Sequence, residues 1–162
     1  MSSYEIHPVA FVRGGRKEAI DDNWGDVVAT IEFVDPYTEE SLLGLEDFSH
    51  IDVVFVFHGV DPESIHLAAV HPRENPEWPK VGIFSQRKRA RPNRIGITTC
   101  ELLERKNNCL IVRGLDAIDG TPVVDVKPFF TGFLPRQEIR QPEWALELMR
   151  DYWFSDGNDA PQ

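Results

Sequence analysis

The stretch HIDVVFVFHGV, residues 50–60, decides the fold. From Val53 to Phe57 every position is apolar, so neither face turns polar. A strand that can bury both faces belongs in the middle of a sheet or in the wall of a closed barrel. The neighbouring segments agree. Residues 5–13 (EIHPVAFVR) read as a first strand, limited near its start by His7-Pro8. Residues 26–34 (DVVATIEFV) alternate Val27, Ala29, Ile31 and Phe33 against the more polar Val28, Thr30, Glu32 and Val34, as a half-buried strand does.

Thr38, Glu39, Glu40 and Leu42-Leu43 predict a short helix stopped near Gly44. Residues 61–80 carry Pro62, Pro72, Pro76 and Pro79, which break any regular element. Residues 95–105 (IGITTCELLER) and 109–115 (CLIVRGL) predict a hairpin across Lys106-Asn107-Asn108. Asp119-Gly120 is a tight-turn signal leading into TPVVDVKPFF. From Pro142, the run PEWALELMRDYWF predicts a helix with Trp144, Leu148 and Tyr152 on one stripe and Ala145, Met149 and Trp153 on the next. That face could dock on the barrel or form a subunit interface. The expected architecture is mainly β: a small β-barrel over 1–135, a C-terminal helical segment over 136–154 and a flexible tail over 155–162.

The chain has 162 residues, 41% hydrophobic and 27% charged, an ordinary single-domain composition. No apolar run reaches membrane-span length, and MSSYEIHPVAF lacks the basic start and apolar core of a signal peptide. A cytoplasmic protein with no membrane partner is expected. A net charge of -10 argues against indiscriminate DNA binding, and no DNA partner is expected. Cys100 and Cys109, on one predicted hairpin, could pair, but reduced, packed thiols suit a cytoplasmic chain better. The five histidines show neither HxH nor HExxH spacing, so no metal site is expected. Dinucleotide, P-loop and serine-hydrolase signatures are absent as well.

Charge distribution is more informative than net charge. IFSQRKRARPNRIG, residues 83–96, places Arg87, Lys88, Arg89, Arg91 and Arg94 together in an acidic protein. Pro92 fixes its own backbone angle and biases Arg91 toward an extended conformation, while Asn93 can bond its own turn. If the segment is extended, Arg87, Arg89 and Arg91 point to one side, an arrangement suited to phosphate or carboxylate. A solvated charged face is the plainer alternative. A second candidate, VRGLDAIDGTPVVDVKP (112–128), gathers Asp116, Asp119, Asp125 and Lys127 around a compact turn. Asp119 before Gly120 is a common structural arrangement. Asp125 and Lys127 share a strand face, either as an ion pair or as an acid and a base offered to a ligand.

Four blocks together resemble the TsaA-like family, also called the TrmO or YaeB-like family: PVAFVR (8–13), GLEDFSHIDVVFVFH (44–58), RPNRIG (91–96) and GLDAIDGTPVVDVKPF (114–129). The resemblance implies a small β-barrel that binds S-adenosylmethionine without a Rossmann fold, usually as a homodimer. It also implies a methyltransferase acting on threonylcarbamoyl-adenosine beside the anticodon of tRNA. Cofactor contacts carry over to Phe57, His58, Arg87, Ile97, Arg113, Gly114, Leu115 and Asp116. Asn23 and Trp24 join them from DDNWG (21–25), which stands where the family has Pro-Arg-Gln. Gln86-Arg87-Lys88-Arg89 replaces the family's Thr-Arg-Ser-Pro, and RPNR its Arg-Pro-Asn-Pro.

If the acceptor is a weakly acidic urea-type nitrogen, a base must take its proton, and Asp119 or Asp125 is the catalytic candidate. Arg89, Arg91, Asn93 and Lys127 would face substrate phosphates. Methylation of a small molecule, a non-catalytic RNA-binding module and a non-enzymatic S-adenosylmethionine sensor are the alternative readings.

Overall fold

The computed structural model describes residues 2–154. Six strands form a closed antiparallel barrel: β1 (Ala10–Gly14), β2 (Val28–Phe33), β3 (His50–Val56), β4 (Ile95–Lys106), β5 (Cys109–Arg113) and β6 (Pro122–Pro128). Around the wall the order is β1-β2-β5-β4-β3-β6, and β6 pairs back onto β1. Closure gives every strand a neighbour on both sides, though β1 meets β6 only at Ala10 and Phe11.

The decisive strand behaves as its sequence requires. Ile51, Val53 and Phe55 point inward and are buried, while Asp52, Val54 and Val56 lie half-covered on the outer face. β4 pairs with β3 along its whole length, and β6 pairs with Ile51–Phe55 on the other side through a bulge after Val54. The barrel interior is filled from every strand by residues such as Val12, Ile31, Leu110, Val112 and Val123. Burying this apolar surface is the main favourable term in folding.

Boundaries moved where donors or turns ran out. β1 begins at Ala10 rather than residue 5, because Pro8 has no N–H to give a ladder, and Tyr4 and Ile6 are exposed. The expected helix after Thr38 is a single 3-10 turn, Glu39–Leu42, ended before Gly44 in the left-handed region at φ +91°. The C-terminal helix α1 (Glu143–Met149) is shorter than its apolar stripes suggested. Tyr152 and Trp153 therefore lie beyond it, in a strap that turns back toward the barrel. The expected tail, 155–162, lies outside the described residues.

Antiparallel order sorts the connections by end. β1 and β2, β3 and β4, and β5 and β6 are joined on one rim, by residues 15–27, 57–94 and 114–121. The other rim carries the connection 34–49 and the Asn107-Asn108 hairpin. The longest loop of the chain therefore shares a rim with both turns that carry candidate ligand residues.

Candidate functional site

Asp116 stands at the centre of the loop-bearing rim. Thr98, inward-facing on β4, donates its hydroxyl to one carboxylate oxygen, and Tyr152 donates to the other. Hydrogen bonds to an ionised acceptor are the strong kind, and they fix this half-buried carboxylate in place. Burial, and then Asp116 alongside, push the Tyr152 hydroxyl well above its ordinary range, while the cations Arg87 and Arg73 nearby act the other way. The phenol is consequently a firm donor at neutral pH.

Arg87 donates to the Ile97 carbonyl at 3.0 Å. A guanidinium has five N–H donors, so this bond leaves capacity for an anion. Ile97 keeps 49% of its surface exposed beside it. Asp116 and Arg87 thus come together beside Tyr152 on this rim, and Ile97 exposes an aliphatic face on the adjoining outer wall. They offer a hydrogen-bond acceptor, a cation and an apolar surface to a ligand.

The loop 15–27 is tied down from several sides. Asn23 adopts φ +63°, and its carbonyl, with that of Asp22, accepts from Arg16. Arg16 also covers the Trp24 ring at 4.6 Å. Trp24 is only 3% exposed and its indole N–H donates to Ile20, so its side chain is loop core. Leu115 is likewise fully buried in the barrel. Neither side chain is open to a ligand.

The remaining candidates divide between rim and wall. Phe57 packs edge-on to Phe55, and exposed His58 lies beside the Gly120 turn. Gly114 sits at φ +79° and donates to Val27, while Arg113 pairs with Glu101 outside the barrel. Asp119 accepts from the Gly14 N–H at 2.8 Å, which makes it a structural member of its turn, though it is exposed. Asp125 pairs with Lys127 at 2.5 Å on the outer wall. Val54 opposes Ile97 on one side and Asp125 on the other, so these two lie on one face, about 10 Å apart at strand spacing.

The basic run is not a row of parallel cations. The backbone turns at Arg89–Arg91, which breaks the expected alternation, and Asn93 and Arg94 both take positive φ. Each guanidinium goes to a different carbonyl: Arg87 to Ile97, Arg89 to Ala19, Arg91 to Gln86 and Arg94 to Val60. Arg89 also approaches Asp21, and Arg73 binds Asp22 through both of its terminal nitrogens. These arginines staple loops that have no ladder of their own. Lys88 makes no hydrogen bond or ion pair among the described residues, and Asn93 is exposed at the turn.

Sequence reasoning missed Thr98, Arg73 and Tyr152. Thr98 was legible as an inward position between Gly96 and Cys100. Helical spacing from Trp144 puts Tyr152 in a packing stripe, which hides its role as a donor to Asp116. Nothing local marked Arg73 as the partner of an acid 51 residues away.

The closed six-stranded antiparallel barrel, with its longest loop on the same rim as Asp116, places the chain among small β-barrels rather than doubly wound nucleotide folds. The family profile for the tRNA-methyltransferase O N-terminal domain matches residues 22–133, and the chain belongs to that family. It is 34% identical over 139 residues to the tRNA (adenine(37)-N6)-methyltransferase of Escherichia coli, covering 80% of this chain and 59% of that protein. A probable S-adenosyl-L-methionine-binding protein of Methanothermobacter thermautotrophicus is 37% identical over 136 residues, covering 80% and 94%. A crystal structure of TrmO superposes with a TM-score of 0.71 at 27% identity, over 86% of this chain and 64% of that one. The chain spans 59% of the Escherichia coli enzyme and 26% of its human counterpart, so it matches only part of those proteins.

Proposed function

We propose that this protein is an S-adenosylmethionine-dependent methyltransferase acting on adenosine 37 of tRNA, with threonylcarbamoyl-adenosine as the acceptor nucleoside. The observation that carries the reading is the placement of Asp116 and Arg87 beside Tyr152 on the loop-bearing rim of a barrel in this family, with Ile97 on the adjoining wall. Asp116 would hold the amino or ribose groups of the cofactor, and Arg87 its carboxylate. When bound, the cofactor supplies an electrophilic methyl group on a sulfonium. Phe57, His58, Asn23, Trp24 and the Arg113–Asp116 turn would frame it, Trp24 and Leu115 by backbone only.

The chain's own part is orientation and proton management. Asp119 is the better placed of the two candidate bases. It is exposed on the rim, whereas Asp125 is engaged by Lys127 on the wall. Exposed Asn93, Arg89 and Lys127, with half-buried Arg91, would meet tRNA phosphates, and Lys88 joins them on the same turn. Cytoplasmic placement and a homodimer belong to this reading.

Bulk tRNA from cells lacking the protein, incubated with labelled S-adenosylmethionine, tests it. One methylated adenosine derivative per acceptor tRNA is the expected product, and Asp119→Asn should slow its formation at least tenfold while keeping the acceptor for Gly14. Cofactor binding without any methylated nucleoside would replace this reading with the sensor or small-molecule alternative.

A further inference from the structure

The family match ends at residue 133, yet the rim is completed by chain beyond it. The N–H groups of Asn23, Trp24 and Gly25 donate in turn to the carbonyls of Asp151, Tyr152 and Trp153, at 3.0, 2.9 and 2.7 Å. The Phe154 ring lies so close to Gly25 that an added Cβ would come within 2.4 Å of it. From this strap the Tyr152 hydroxyl reaches Asp116. The helix before it is anchored separately, with Trp78 donating to Glu147 at 2.7 Å and its ring 6.4 Å from that of Trp144. The C-terminal segment therefore touches loop 15–27, loop 57–94 and the 114–121 turn, three loops with no strand of their own.

We propose that the strap Asp151–Phe154 is a working part of the cofactor site, with Tyr152 as a positioning residue that sets the Asp116 carboxylate for the cofactor. The inference rests on the methyltransferase reading above and extends it to residues outside the family match. Asp116 has two oxygens and, among the described residues, receives Thr98 on one and Tyr152 on the other. Without the phenol, one oxygen is released and the carboxylate can rotate about its own bonds. The three strap carbonyls do for the Asn23–Gly25 backbone what Tyr152 does for Asp116. They hold loop 15–27 at the rim before any ligand arrives, and preorganisation of this kind raises affinity by lowering the ordering cost of binding.

Calorimetric titration with S-adenosylmethionine tests this on the full chain, Tyr152→Phe, Gly25→Ala and a chain ending at Arg150. Tyr152→Phe should bind about tenfold more weakly, the loss of one charge-assisted hydrogen bond. In an Asp116→Asn background the same substitution should change affinity less than twofold, because it acts through that carboxylate. A purely structural role would give equal losses in both backgrounds and would overturn the proposal. Gly25→Ala and the truncation should weaken binding too, and should speed hydrogen exchange at the Trp24 and Gly25 amides without any ligand. Unchanged affinity, or tighter binding once the strap is gone, also overturns it; the latter would mean that the strap fills the pocket. Failure of the unaltered protein to bind would instead sink the cofactor reading itself, and this inference with it.

Discussion

At Gly96 the barrel wall leaves no room for a methyl group. A Cβ there would come within 2.6 Å of the Phe55 ring and 2.9 Å of the Phe57 ring. Phe55 is 1% exposed and cannot swing aside without opening the core. Gly96→Ala should therefore cost about 1–3 kcal/mol, the usual cost of overpacking, read as a lower midpoint in urea. The opposite error is larger. Ile31→Ala, at a fully buried site, should cost about 2–5 kcal/mol by the same measurement. RPNRIG was legible in the sequence as a turn entering a strand. The reason for its glycine was not, because both rings arrive from residues 39 and 41 positions earlier, a tertiary fact.

At the scale of elements, the C-terminal helix shows where periodicity stops being a guide. Its apolar stripes are real, but the helix ends at Met149 and none of its residues is fully buried. Trp144 and Glu147 dock it on Trp78, in the loop between β3 and β4 rather than on the barrel wall. Trp78→Phe removes the indole donor and should lower stability by about 1 kcal/mol, seen as a lower thermal midpoint. Tyr152, just beyond the helix, gives the strap a pH signature. Burial and Asp116 raise its hydroxyl above the ordinary value of 10.0, so the folded chain keeps this proton after the unfolded chain releases it. The stability linked to it is complete below pH 10 and falls as pH rises beyond. Urea midpoints between about pH 8 and about pH 11 should drop more steeply in the unaltered protein than in Tyr152→Phe.

For the whole molecule, the alternation of connections between two rims separates stability from ligand chemistry. The barrel, its strand order aside, was readable from alternation and turn signals, since those follow from local sequence. Rim assembly was not, because Arg73 with Asp22, Arg89 with Ala19 and Tyr152 with Asp116 join residues far apart in the chain. A separate groove of about 600 Å³ on the other rim, lined by Val9, Phe33, Tyr37, Leu43 and Phe48, takes in Asp125 of the second candidate segment and none of the arginine run. Local charge matters against the net -10. All four arginines of the 87–94 run donate to carbonyls, whereas Lys88 makes no hydrogen bond or ion pair among the described residues and is the cation most open to phosphate. Lys88→Ala should reduce the slope of log affinity for tRNA against log salt by about 0.7–0.9, the share of one phosphate contact.

Cys100 faces the barrel interior at 2% exposure, its thiol pushed to about 12 by burial and by the charges of Asp116 and Asp52. Such a thiol is almost wholly protonated at neutral pH and therefore a poor nucleophile. Cys109, at the start of β5, is only partly covered. Alkylating reagents should thus modify the two at very different rates. Labelling of Cys109 follows fraying at the hairpin, and labelling of Cys100 waits for the barrel to open. The chain carries its own clock for unfolding, readable by mass without adding a probe.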